Sequence, residues 1–363
     1  MPEQTPLAEI AEKAGASFVE DAGWLVPANF GNATDEYRRA LESAALFDVS
    51  HRGKVQVTGK EAPQFLHNLC TNEIVRMPVG GGCEALLTNG HAKIVGAANF
   101  YRVAGAEGES FWLDLAPGTA TTVAAHLDRF HISEDVEITD RTRDFVQLHL
   151  AGPIAESVLA KLLRKLPPLG EYQHLSAEVD GIGTVDVRRT DALGVSGYDL
   201  LWSREASLPL WEALIGAGAR PAGLEAYEVL RIEAGTPRYG VDIDDSNLPQ
   251  EVGRSERAVS FTKGCYIGQE TVARIRTYGH VNRTLMGLRF DGSIAFPPGT
   301  KLYREEQEVG RVTSSAVSLR FGAIGLGYVK RGSEQPGTKL QVRLSDGTGI
   351  AEVRSLPFGR SLP

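Results

Sequence analysis

The octapeptide Lys263-Gly264-Cys265-Tyr266-Ile267-Gly268-Gln269-Glu270 puts a thiol two residues after an ammonium, between two glycines, just ahead of a helix expected over Gln269 to Ile275. A nearby cation and a helix N-terminus both favour thiolate over thiol, so Cys265 is a candidate reactive cysteine and Lys263 its candidate activator. The same residues also suit a buried cysteine serving as a small hydrophobe beside a structural turn. Upstream, Arg231 follows Glu228 by three positions and Glu225 by six on a helix expected over Gly223 to Ala234. That spacing fits an exposed charge ladder worth tenths of a kcal/mol per pair, or an arginine aimed at a carboxylate or ring-edge acceptor. The run Gly235-Thr236-Pro237-Arg238-Tyr239-Gly240-Val241-Asp242, then Asp244-Asp245 and Leu248-Pro249-Gln250-Glu251, is rich in turn formers and polar side chains. Long irregular segments inside compact domains are usually functional. Asp242, Asp244, Asp245 and Glu251 are available for acid chemistry there, or form a solvated acidic loop.

Other patterns exclude more than they suggest. Asp48-Val49-Ser50-His51-Arg52 holds Ser, His and Asp, but neighbours this close cannot build a nucleophile–base–orienter chain. No GxSxG elbow, P-loop or GxGxxG after a strand is present. The histidines are dispersed, and His149 in an apolar strand reads as a satisfied core residue.

The 363 residues, 42% hydrophobic and 23% charged, allow two or three domains with ample core. A net charge of -8 argues against a nucleic-acid scaffold, so no direct nucleic-acid binding is expected. The three cysteines (Cys70, Cys83, Cys265) show neither metal-ligand spacing nor a disulfide framework, so no metal and a reducing compartment are expected. No signal peptide is read at the N-terminus. No run approaches the ~18 apolar residues of a membrane span, and the cytoplasm is the expected location.

The elements that must position these residues follow from periodicity. Helices are expected over Asp35 to Leu46 (capped by Asn32 or Thr34), Lys60 to Leu69, Thr119 to Phe130, Pro153 to Leu166, Leu208 to Gly216 and Gly223 to Ala234. Strands are expected at Val55–Val57, Ala85–Thr88, Ile94–Val103, Phe111–Leu115, Val136–Ile138, Phe145–Leu150, Val179–Arg189 and Tyr198–Trp202. Strands grouped with helices, without regular alternation, predict an α+β class. Six short strand candidates between Leu285 and Arg354, separated by turn residues, predict a small antiparallel barrel or sandwich. The expected domains are residues 1–280 and 281–363.

Several of these residues carry a resemblance. Phe18…Gly23-Trp24…Pro27, Leu46-Phe47-Asp48-Val49-Ser50-His51, Val57-Thr58-Gly59, Gly197-Tyr198-Asp199, Leu230-Arg231-Ile232-Glu233-Ala234-Gly235 and Val309-Gly310…Val312-Thr313-Ser314 resemble the glycine-cleavage T-protein (aminomethyltransferase) superfamily nearly end to end. Within it, the octapeptide, with Arg231…Gly235-Thr236-Pro237…Gly240…Asp242 and Pro249…Glu251, resembles the YgfZ-type branch of folate-binding proteins. The resemblance implies a ring-like arrangement of three modules, the last a β-barrel, around a tetrahydrofolate site. It also implies an accessory role in iron–sulfur enzyme maintenance and tRNA modification, with iron–sulfur client proteins as partners and Cys265 and Lys263 as the chemical centre. Arg231, Arg52, Tyr198, Gln269, Glu270 and Asp242 are then the expected folate contacts, Arg52 falling where the T-protein has a methionine.

Two departures weigh against the superfamily's transferase chemistry. T-proteins carry a catalytic aspartate in a Gly-Gly-x-x-Asp-Asp-like stretch; the matching run here is Lys93-Ile94-Val95-Gly96-Ala97. Their folate-binding glutamate corresponds to Val195. Deleting one such electrostatic group costs about 3 kcal/mol of barrier. A folate-dependent aminomethyltransferase using other acids, and a non-catalytic folate sensor, are the alternative expectations.

Overall fold

Successive side chains of a strand point to opposite faces, and this alternation decides the layout. In Phe111-Trp112-Leu113-Asp114-Leu115, the three apolar odd positions share one face and Trp112 and Asp114 share the other. A computed structural model, which describes residues 1–105, 108–163, 165–344 and 347–359, shows both faces in use. This strand, Gly108–Leu115, lies in an antiparallel five-stranded sheet ordered Gly82–Thr88, Ile94–Gly105, Gly108–Leu115, Gly53–Thr58, Glu137–Asp140. Its apolar face (Val55, Val57, Phe100, Phe111, Leu113) packs beneath helices Ala62–Leu69 and Ala120–Asp128.

A six-stranded sheet runs His174–Val179, Gly183–Thr190, Gly197–Ser203, Phe145–Ala151, Ala45–Asp48, Arg220–Ala222, antiparallel except for its last pair. Val146, Leu148, Leu150, Leu200 and Trp202 build its core with helices Ala155–Leu162 and Ser207–Ala217. The two sheets meet through their remaining faces, where Tyr101 and Trp112 pack against Leu201. Register fills this interface with charge: Arg188 pairs with Asp199 and Asp199 with His149 on one sheet, Asn99 with Asp114 and Asp114 with Lys54 on the other. The Arg188 guanidinium carbon sits 4.5 Å from the Tyr101 ring centroid and 5.9 Å from that of Trp112.

The six C-terminal strands, Arg283–Phe290, Lys301–Arg304, Gln307–Ser318, Gly322–Lys330, Lys339–Leu344 and Gly347–Arg354, close into an antiparallel barrel around Leu288, Leu302, Val312 and Val329. The class is α+β, as periodicity predicts. Helix Leu224–Ala234 leans on the barrel through Glu233, whose carboxylate accepts from Ser318 and Arg320, and through Arg231, which donates to Ser314 Oγ at 2.8 Å.

Three expectations change. The helix expected to Leu46 is Ala33–Glu42, N-capped by Asn32, whose side chain accepts from the Thr34 and Asp35 amides. The apolar run after it becomes the strand Ala45–Asp48, which gains partners on both edges. The single strand expected over Val179–Arg189 is a hairpin, turning where Gly181 and Gly183 adopt φ of +75° and +102°. The helix expected over Pro153–Leu166 is Ala155–Leu162, and residue 164 lies outside the described residues. A small sheet, with Trp24–Asn29 between Glu3–Gln4 and Ser17–Asp21, was not expected.

Candidate functional site

A cavity opens where the two sheets meet helix Leu224–Ala234 and the polar segment after it. Its lining carries Arg52, Asp114, Asp199, Tyr227, Arg231 and Arg238 among its polar groups. Among the described residues, no strand of the barrel reaches the lining.

Arg52 is the hinge of the charged floor. The chain turns after Ala45–Asp48, the Arg52 amide donating to Val49 O at 3.0 Å, and this projects the guanidinium between the sheets. Its Nη1 stands 3.4 Å from Asp199 Oδ2 and 3.8 Å from Asp114 Oδ2, and its Nη2 donates to the Tyr227 hydroxyl. The Asp114 and Asp199 side chains are 3% and 1% exposed, and the guanidinium is the first cation acting on each, ahead of Arg188 and of Lys54 (Asp114) or His149 (Asp199). They respond oppositely. Burial raises the Asp199 carboxyl, but Arg52 and a hydrogen bond with His149 Nδ1 (2.8 Å) outweigh it and hold it below the usual range. Asp114 is raised by burial and by the charge of Asp199, against the pull of Arg52. Two carboxyls sharing one cation cannot both ionise cheaply in a dry site. Beneath them, Lys54 donates to the Ser50 and Arg52 carbonyls at 3.0 and 2.8 Å, and burial lowers its ammonium to about 8.

Around the rim, Asp21 accepts from Arg238 (2.6 and 3.1 Å) and pairs with His51 Nε2 at 3.0 Å. Burial would raise Asp21; His51 and Arg238 overcome it and bring the carboxyl to about 2. Glu84 accepts from Arg254 Nε at 2.9 Å and from the Tyr172 hydroxyl at 3.1 Å. Asp48 binds the Ser50 amide and hydroxyl while His51 turns to Asp21, so the pentapeptide forms no catalytic chain.

Of the residues expected at a folate, Arg52 and Arg231 reach the lining. Arg231 spends its five N–H groups on Glu228 (2.8 and 2.6 Å), Asp242 (2.8 Å), Ser314 (2.8 Å) and the Thr236 carbonyl (3.3 Å), and acts as a clamp. Asp242 is sealed behind it, accepting further from Thr313 (2.5 Å) and Ser314 (2.7 Å). Tyr198 points into the apolar core, because its neighbour Asp199 takes the cavity face. Gln269 and Glu270 begin helix Gln269–Tyr278, away from the lining.

The octapeptide is a docking loop. Lys263 is buried, and its Nζ donates to the carbonyls of His67, Cys70 (2.7 Å) and Asn72 (2.9 Å), closing the C-terminus of helix Ala62–Leu69. Burial lowers its pKa. Gly268 takes φ +84°, where a Cβ would meet Asn89 O at 2.7 Å. Cys265 is exposed and outside the cavity lining. The acids proposed from the polar loop fare similarly: none of Asp242, Asp244, Asp245 and Glu251 lines the cavity. The carboxylates that do are Glu84, Asp114 and Asp199, which sequence reasoning passed over. Their signal was faint: an aspartate inside an apolar strand, legible only once that strand's second face is known to meet another sheet.

The chain matches the model of the GCVT N-terminal domain over residues 7–263 and that of the glycine cleavage T-protein C-terminal barrel domain over residues 283–358. It is 32% identical to an aminomethyltransferase of Rubrobacter xylanophilus, over 98% of this chain and 94% of that one. With an aminomethyltransferase of Chlorobium luteolum it shares 31%, over 96% of each. The crystal structure of glycine cleavage system aminomethyltransferase T from Bartonella henselae superposes with a TM-score of 0.89 at 27% identity, covering 99% and 98% of the two chains. These relatives overturn the expected accessory role in iron–sulfur maintenance and tRNA modification and favour the transferase alternative; of the octapeptide that suggested the accessory role, Lys263 and Tyr266 are buried. No helix among the described residues is long and apolar enough to cross a membrane, and none of their His, Cys, Asp and Glu side chains form a group of three that could hold a metal.

Proposed function

This chain belongs to the glycine-cleavage T-protein family, and from that premise we propose that it binds a reduced folate in the inter-sheet cavity and transfers to it, as a methylene, the carbon of a carrier-bound aminomethyl group, with release of ammonia and the carrier thiol. Tetrahydrofolate supplies secondary amines as acceptors, a planar ring edged with N–H donors, and a terminal glutamyl carboxylate. The residues present fit such a molecule. Asp199, held ionised, can accept paired N–H donors. Tyr172, Tyr227 and Tyr239 line the cavity beside any planar heterocycle seated there, and Arg254 and Arg257, which pair with Glu84 and Asp191, stand at its edge where a ligand carboxylate would compete for them. Positive charge developing on the transferred carbon and nitrogen would be stabilised by the floor carboxylates, a contribution of about 3 kcal/mol per well-placed group. That supply comes from strands Gly108–Leu115 and Gly197–Ser203, in place of the acid missing from Lys93–Ala97.

The observation that carries the reading is the Arg52-bridged pair Asp114 and Asp199 on the floor of this cavity. The test is a reconstituted reaction containing the protein, tetrahydrofolate and a lipoyl carrier protein charged with an aminomethyl group. Folate-dependent ammonia release is expected, reduced about 100-fold in Asp199→Asn. Folate binding without transfer, or transfer indifferent to folate, would overturn it.

A further inference from the structure

The layer between the sheets contains more polar capacity than its own bonds consume. Asp114 Oδ2 accepts from Gln147 Nε2 at 2.9 Å, but Asp114 Oδ1 has no partner although it is buried. Gln147 Oε1, the Tyr101 hydroxyl, His149 Nε2 and two nitrogens of Arg188, Nε and Nη2, are buried and unpartnered in the same layer. Leaving such atoms unmatched costs about 1–3 kcal/mol each, so the layer is arranged for something other than stability. Among the described residues, Asp114 is the one carboxyl that both lines the cavity and has no hydrogen bond on one oxygen.

The groups facing Asp114 come from every neighbouring element. Lys54 lies across on Gly53–Thr58, Tyr101 on Ile94–Gly105, and Arg52 and the Tyr227 hydroxyl on the cavity side. Arg188, Asp199 and His149 stand on the opposing sheet. Arg188 reaches only Asp186, at 3.9 Å, and otherwise rests on aromatic rings.

We propose that Asp114 is the proton-exchanging residue of the cavity: a neutral carboxyl in the free protein that releases its proton to solvent when a ligand bearing N–H donors seats against it. The ligand's identity rests on the folate reading above. The direction follows from hydrogen-bond chemistry. An ionised carboxylate offers only acceptors to the N–H edge of such a ring, whereas the neutral acid would set a donor against it. Burial and the neighbouring Asp199 disfavour the ionised form until those donors arrive. Binding therefore strengthens with pH as long as Asp114 is neutral in the free protein, by about tenfold per pH unit where one proton is released, and levels once Asp114 ionises without ligand.

Two measurements test this. Calorimetric titration of tetrahydrofolate, in buffers of differing ionisation enthalpy between about pH 5 and 7, should report one proton released by the wild-type protein and none by Asp114→Asn. Infrared spectra of the free protein should show a protonated-carboxyl band that persists to higher pH than an ordinary aspartate's and that Asp114→Asn lacks. Folate binding without proton release, or a free protein without that band, overturns the proposal even where folate binding and transfer are intact. Absence of folate binding with the band present overturns the folate reading and the proposed exchange with it, but leaves the neutral Asp114 established.

Discussion

Arg52 stands 3.4 Å from Asp199 and 3.8 Å from Asp114 and leans 5.4 Å over the Tyr227 ring, so three cavity walls meet at one guanidinium. Replacing it strips the ionised Asp199 of its main guanidinium partner, and Arg52→Met should cost about 3–5 kcal/mol by denaturant unfolding at pH 7. Lys263 shows the opposite use of a cation. Lys263→Met strands three carbonyls at a helix terminus, for an expected loss of about 1–3 kcal/mol. Cys265→Ser should change both stability and aminomethyl transfer by less than about 0.5 kcal/mol, because that thiol is exposed and away from the cavity. A large loss of transfer in Cys265→Ser would return the thiol to the mechanism. At this scale the sequence was legible in part. Arg52 could be named from a family position, but Asp114 and Asp199 could not be separated from ordinary strand residues, since their importance comes from what another sheet places opposite them.

At the scale of elements, polar clamps hold the pieces around the cavity. The N-terminal sheet is fastened through Asp21, which meets His51 on one side and Arg238 on the other. With its carboxyl at about 2 in the folded protein against an ordinary 3.8, the stabilisation is complete above about pH 4 and is lost as pH falls through 2. Asp21→Asn should remove up to about 2 kcal/mol at neutral pH and flatten this acid limb in thermal unfolding followed from pH 5 to 2. Arg231 and Asp242 clamp helix Leu224–Ala234 to the barrel strand Gln307–Ser318, and Arg231→Met should cost about 3–5 kcal/mol in unfolding experiments. Element types were read well where one face is apolar and the other wet, as in Ala62–Leu69 and the barrel strands. The reading failed at Ala45–Asp48, because a strand buried on both faces has no period to betray it.

For the whole molecule, two sheets turn apolar faces outward to helices and charged faces toward one another, while the barrel braces the helix that closes the gap. The α+β class follows from local patterns, which leave the C-terminal strands as a barrel or a sandwich; the resemblance points to the barrel. The site does not follow from them, because it exists only where two sheets distant in sequence converge. The resemblance holds for the family, and the relatives do not show the branch; the accessory role it implied gives way to the transferase reading. The inter-sheet cavity is the proposed folate site. A crystal structure of the protein soaked with tetrahydrofolate tests it most directly. The account predicts ring density between the sheets, with N–H groups within hydrogen-bonding distance of Asp114 or Asp199. An empty cavity, or folate bound against Cys265 on the outer face, would contradict it.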